Sequence, residues 1–459
     1  QGAQIICSGG YASFVKVIIS QRIQVSNLTF DIVDPLAYTA LVVTAVNNHS
    51  GDANEASQAA LSFDGNLATG HPTLEQFGTL LDGKAEVMDA SSRTGPRTKR
   101  GVSEVLYYNA TGFARLPMNS GNRNSSTISY RVNLTSAFTG LAVGDVVVFD
   151  PRIAVGFQAQ NSSRVVWSQL VGHACSNECF TSFKTDRLSI LRCGLVLLPG
   201  RFLAGNNGGH NHHNARVAQW VEGGTFENVG DDTFHNSGLV MSVASLGAGA
   251  TQATQALGRG NGVGIVEITL QPSYPMAGQI GDLGIEVGDR LDFFDRHKGI
   301  TLGSRFVVKV GAQQPGHHSY ATTLVQLDQP LPPTVVPGTI GGGPLNTTVT
   351  QVFNFNMEAT QMVFRNNFVR NGRRVGVLTK GHRALIENNT FIGLGGGAVE
   401  YWDAPYEGLC ATSFIVQDNY IEDTSQLDRT GGTAIYIETF GLGLLHVVRL
   451  QILALDFVS

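Results

Sequence analysis

Val363-Phe364-Arg365-Asn366-Asn367-Phe368, Ile386-Glu387-Asn388-Asn389-Thr390-Phe391 and Val416-Gln417-Asp418-Asn419-Tyr420-Ile421 share one template: apolar, any residue, polar, Asn, any residue, apolar. Phe368 and Phe391 are 23 residues apart, and Phe391 and Ile421 are 30 apart, which suits the rungs of a parallel β-helix with loop insertions. Val221-Glu222-Gly223-Gly224-Thr225-Phe226 fits with Gly in the Asn position, and the stretch from Ile23 to Phe30 resembles it. A single rung cannot bury its inward face, whereas stacked rungs can, and Asn at matching turns can form an amide ladder with neighbouring backbone groups. These Asn residues are therefore read as scaffold. Phe226, Phe368 and Phe391 are expected to stack in one interior.

Composition fits such a scaffold. The chain has 459 residues and only 15% charge, enough to bury a large interior, and its 55 glycines favour many short strands and tight turns. The net charge of −5 gives no basic footprint for nucleic acid, and Arg93, Arg97, Lys99 and Arg100 read as a solvated loop. The apolar stretch from Leu442 to Val458 is interrupted by His446, Arg449 and Asp456, so no membrane span is expected. That stretch departs from the rung template and reads as a truncated end.

Two segments have another texture. Residues 40–143 alternate apolar strands with Ser, Asn and Gly turns and lead into Gly144-Asp145-Val146-Val147-Val148-Phe149. Residues 240–350 do the same and contain Gly288-Asp289-Arg290-Leu291-Asp292-Phe293-Phe294. The recurrence suggests two inserted β-rich modules, and solenoids take such insertions on one face, commonly the binding face. The expected order is first rungs in 1–39, a module in 40–143, rungs in 144–239, a second module in 240–350, and final rungs in 351–459.

Secretion is expected. Eight Asn-x-Ser/Thr sequons begin at Asn27, Asn48, Asn109, Asn124, Asn133, Asn161, Asn346 and Asn388, the last inflated by the Asn-rich rungs. Among five cysteines, Cys175 and Cys179 are spaced for a small loop disulfide rather than for zinc. The chain begins at Gln1 without a charged-then-apolar leader, which reads as a signal peptide removed or never included.

The run Phe226-Glu227-Asn228-Val229-Gly230-Asp231-Asp232-Thr233-Phe234-His235 ends a strand in two adjacent carboxylates. Glycoside hydrolysis needs such a pair, one protonated to assist the leaving oxygen and one ionised to activate water or attack carbon. Two solvated turn carboxylates are the plainer alternative. His210 and His212 share a strand face but lack further ligands at matching spacing, so substrate hydrogen bonding is expected of them rather than metal. Trp220 suits core or platform equally. Tyr401, Trp402 and Tyr406, with Asp403 and Glu407, read as a loop on which a sugar could stack.

Several of these residues carry a resemblance. Asn27 to Asp31 with Asp34 to Thr39, Gly144 to Val148, Arg216-Val217 to Glu222, Phe226 to Asp232 with His235, and Arg373 to Leu378 with Ile386 to Phe391 resemble, in order, the family-110 glycoside hydrolases. The similarity runs to about Glu438 and rests on the order of loose motifs. It implies an all-β, right-handed parallel β-helix with two inserted β-barrel-like modules. It also implies an inverting exo-α-1,3-galactosidase that uses no metal or other cofactor and takes a glycan or galactan with terminal α-galactose.

In this resemblance Asp231 matches the general acid and Asp232 its neighbour, while Arg216 and His235 join the substrate-binding set. The family's third carboxylate falls about 23 residues upstream, one rung earlier. Asn207 or Gly208 stands there, and neither can act as a base. Asp232 alone, His210 or His212 could take that role, or the enzyme is altered. A polygalacturonase-like hydrolase and a non-catalytic glycan-binding β-helix remain as alternatives. The former's further motifs do not follow, since Gly381-His382-Arg383 is distant and ends differently.

Overall fold

The computed structural model describes side chains at 13–32, 143–146, 148, 156–199, 201–246, 268, 270, 283–295, 298–311, 322–338, 349–401, 414–425 and 433–437, and the backbone alone of further strands. Among the described residues the chain is all-β, apart from a three-residue 3-10 turn at Phe355–Met357.

Each solenoid rung gives one strand to each of three faces. In one rung these strands are Phe180–Phe183, Ser189–Leu191 and Gly194–Leu195. All pair in parallel register with the rungs on either side. On the first face Phe180, His210, Phe234, Val377 and Val399 stand in one column. On the second face the column is Ile190, Val221, Phe364, Ile386 and Val416. On the third it is Leu195, Phe226, Val369, Phe391 and Ile421. None of these is more than 2% exposed. Because strand side chains alternate, the inward residues of the faces meet along the axis. Burying each large apolar one is worth about 1.5–3 kcal/mol.

The corner between second and third faces is one conformation repeated. Asn27, Gln169, Arg192, Gly223, Asn366, Asn388 and Asp418 all sit there with φ between 51° and 69°. Asn and Gly suit this left-handed bend because it strains most other side chains. The next residue points inward, and from Asn367 onward it builds the expected ladder. Asn389 Oδ1 accepts from the Asn367 backbone N–H at 3.0 Å and from its amide at 3.1 Å. Asn419 Oδ1 does the same for Asn389, at 2.9 Å in both bonds. In an earlier rung Cys193 Sγ accepts from the Leu170 N–H at 3.4 Å, and burial pushes this thiol up to about 12.

The pairing corrects one register. Phe364, not Val363, aligns with Ile386, so Val369 fills the place expected for Phe368. Phe226 and Phe391 lie inside, whereas Phe368 is only half-buried, with the Arg370 guanidinium 5.8 Å from its ring centre. The doublet Asn366-Asn367 lets either Asn occupy the template, and strand alternation decides between them.

Both insertions are antiparallel. In the first, Thr39–Asn47, Gln58–Ser62, Ser129–Leu134, Leu106–Arg115 and Lys84–Asp89 follow one another, and Val146–Phe149 pairs with both ends to close the ring. The second is a closed six-stranded barrel running from Val240–Leu246 to Gln351–Asn354. Val146–Phe149 and Gln351–Asn354 pair within their modules, so the module boundaries lie near 149 and 354 rather than 143 and 350. Gly144 and Gly288 bend at φ 96° and 92° at the start of equivalent strands, which accounts for the recurring Gly-Asp motif.

The tail continues the solenoid. Arg449–Ile452 pairs with Ser413–Val416, and Leu455–Val458 with Asn419–Glu422, because a parallel ladder needs backbone rather than the Asn template. Cys175 and Cys179 form a disulfide with Cα atoms 5.7 Å apart.

Candidate active site

The corner leading from the third face of one rung to the first face of the next carries the acidic pair. Asp231 and Asp232 lie between Thr225–Glu227 and Phe234–Ser237, at 9% and 7% exposure, so they are not freely solvated turn residues. The next rung places Arg373 and Arg374 over them, since Thr233 N–H donates to Val375 O at 2.8 Å. Arg374 is ion-paired with Asp231, and its Nε lies 3.5 Å from Asp232 Oδ1. Arg373 Nη2 is 3.5 Å from Asp231 Oδ2 and its Nε binds the Gly230 carbonyl. Asp231 Oδ1 also accepts from the Asp232 N–H at 3.0 Å, which fixes one carboxylate on the backbone of the other.

The strands position the remaining candidates very differently. His210 and His212 are wholly buried inside the solenoid, because Phe180 pairs with His210 and both histidines take the inward alternation. The His210 ring stacks on Phe234 at 5.1 Å, and Ser182 and His212 share a hydrogen bond. Burial drives the His210 pKa down to about 3 and His212 well below its usual value. Neither imidazole reaches a surface on which it could meet a sugar or replace a base.

Arg216 is a clamp between solenoid and barrel. Its guanidinium grips Asp289 with two bonds of 2.7 and 2.9 Å and reaches Glu286 at 3.3 Å, and the Asp289 bond raises its pKa. His235 alone of the expected imidazoles projects outward from the first face, 8% exposed and edge-on to His213 at 5.4 Å. Trp402 ends strand Val399–Trp402, but its side chain and all of Glu407, Tyr406 and Asp403 lie outside the described residues. Trp220 stands on the outer side of the second face, 39% exposed, with Arg365 over its ring at 4.6 Å. Its indole donates to Glu222 at 2.7 Å and pulls that carboxyl's pKa down.

Three contributors had no assigned role in the sequence. Arg373 and Arg374 were visible as a basic doublet one rung after the acidic pair. Glu178 was not, because 30 residues rather than 23 separate Phe180 from its partner His210. Asn211 donates to Glu178 Oε1 at 2.5 Å. Among the described residues no group of three or more His, Cys, Asp or Glu is arranged to hold a metal, and no helix is long and apolar enough to cross a membrane.

No protein-family profile matches this chain, and no curated protein matches it. Two of the solved structures that it is similar to are phage tailspikes. Tailspike gp61 of Pseudomonas phage phi297 is 10% identical with a TM-score of 0.19, covering 99% of this chain and 66% of that one. Tailspike protein gp49 of Pseudomonas phage LKA1 is 10% identical with a TM-score of 0.14, covering 92% and 62%. This chain therefore spans less than two thirds of either tailspike's length, and at such TM-scores neither lends it a fold or a function.

Proposed function

We propose that the chain is a secreted, carbohydrate-active hydrolase that removes terminal α-1,3-linked galactose from a glycan or galactan with inversion. The observation that carries this reading is the pairing of Asp231 and Asp232 at one corner, nearly buried and held by Arg373 and Arg374. In the resemblance Asp231 is the acid. Arg374 reaches both carboxylates, and the variants below decide which of the two carries the acid's proton. The Cys175–Cys179 disulfide supports an extracellular setting. So do the sequons Asn27, Asn161 and Asn388, which are exposed at positive-φ corners.

Turnover of a chromogenic α-galactoside tests the reading. Asp231→Asn and Asp232→Asn should each lower kcat by about 10²–10⁴-fold with the fold intact. Only the variant of the acid should recover rate on a substrate whose leaving group needs no proton. Full activity in both variants would sink the assignment.

A non-catalytic glycan-binding solenoid is the second reading, favoured by the lack of a carboxylate at Asn207 and Gly208. It predicts galactoside binding without any release of product.

A further inference from the structure

An inverting site needs a second carboxylate on the far side of the sugar, and the rung directly before Asp232 offers only Asn207 and Gly208. The rung before that does offer one. Phe180, His210 and Phe234 share a column, and counting back two residues aligns Glu178, Gly208 and Asp232. Backbone bonds fix this alignment: Cys179 N–H donates to Gly208 O, and Gly209 N–H to Asp232 O, each at 3.2 Å.

Gly208 has no side chain to occupy the middle position. A Cβ there would stand 3.2 Å from Asp232 O and 3.8 Å from Glu178 Cγ, so the stem of the Glu178 side chain passes beside the glycine. Two rungs separate the backbones of Glu178 and Asp232 by about 9.5 Å. An inverting glycosidase sets its two carboxyl groups roughly 6.5–9.5 Å apart to hold a water between them, and Gly208 leaves the intervening rung open for it.

Two further observations make this a built position. Glu178 lies within the Cys175–Cys179 loop, its carbonyl accepts from the Gly156 N–H at 2.9 Å, and Asn211 orients its carboxylate. Beside it, Thr181 and Asn211 occupy adjacent rungs of the outward column, and their oxygens Oγ1 and Oδ1 are buried without a hydrogen-bond partner among the described residues. Thr181 is itself 8% exposed. Buried acceptors are costly unless a donor meets them, and a sugar hydroxyl or the attacking water is a donor of the right kind.

Resting on the hydrolase reading above, the geometry points to Glu178 as the general base of this site, acting across Gly208 from Asp232. Water attacks the anomeric carbon and gives its proton to Glu178. The glycosidic C–O bond breaks as the acid's proton passes to the departing oxygen, and the product has the opposite anomeric configuration.

The test uses the full chain with a chromogenic α-galactoside. Glu178→Gln, which is isosteric, should lower kcat by about 10²–10⁴-fold while thermal melting and galactose binding stay unchanged. Glu178→Ala should recover rate in azide, which attacks in place of water and needs no base, giving the β-galactosyl azide. Gly208→Val should also lose turnover, since branched carbon would fill the gap. A wild-type enzyme that is active but keeps its kcat in Glu178→Gln overturns the role of Glu178 and leaves the hydrolase reading standing. A wild-type chain that cleaves no terminal α-galactoside overturns both.

Discussion

His210 stands in a column otherwise filled by Phe180, Phe234, Val377 and Val399, and its neighbour His212 is equally buried. Both are held neutral because burial penalises the imidazolium, His210 down to about 3 from 6.5. Below pH 6.5 the unfolded chain therefore binds protons that the folded chain does not. The stability tied to these groups is complete above that pH and is lost as pH falls toward 3, at about 1.4 kcal/mol per pH unit for each histidine. Urea midpoints at pH 7.5 and pH 5 should show this loss, and His210→Phe should reduce it. An equal loss in the variant would mean that other groups govern the acid response. No pattern in the sequence marked these histidines as interior, because alternation locates a face without saying which of two polar faces is covered. His213 and His235, which point outward, look the same on the page as His210 and His212.

The repeated corner was the most legible element. The Asn template foretold the ladder Asn367, Asn389, Asn419, and each amide also donates to a carbonyl one rung back, as Asn389 does to Phe364 O at 2.9 Å. Asn389→Ala would strand the Asn367 N–H and the Phe364 carbonyl in the interior. It should cost about 2–3 kcal/mol, since each buried group left unpaired is worth about 1–3 kcal/mol. Asn388→Gly, at the exposed bend with φ 51°, should change stability by less than about 1 kcal/mol, because glycine accepts that bend without strain. Thermal unfolding of both variants compares them, and similar losses would remove the ladder's special role. Register was less legible than the repeat. One extra Asn shifted the reading of Phe368 by a residue, and the same sensitivity to loop length hid Glu178, whose rung is seven residues longer than its predecessor.

At the scale of the whole molecule, the two modules leave opposite ends of the first face. The ring departs after Gln24–Ile32 and returns before Phe157–Gln160, at the corner that also bears the acidic pair. The barrel departs after Phe234–Ser237, at the other corner. On the outward side of the first face, Ser237, Lys380 and Glu400 are at most 2% exposed despite pointing away from the axis. At the barrel end, among the described residues Arg216 alone supplies a fork to Asp289, whose side chain is 3% exposed and also accepts from the Asn354 amide and the Glu286 N–H. Removing that cation leaves a buried carboxylate without its countercharge, a loss that measured buried pairs put at several kcal/mol. Arg216 is itself a quarter exposed, so solvent would compensate in part, and about 2 kcal/mol is the expected cost for Arg216→Gln. Hydrogen exchange should locate it: amides of Arg290–Asp295 and Gln351–Asn354 should open on the order of 30-fold more readily, while Val363–Arg365 and Ala384–Glu387 keep their protection. Arg216→Lys should fall between, because it keeps the charge and loses the fork. Unchanged exchange in the barrel would mean that its packing alone holds it to the solenoid, whereas equal loosening along every rung would mean that Arg216 supports the solenoid itself.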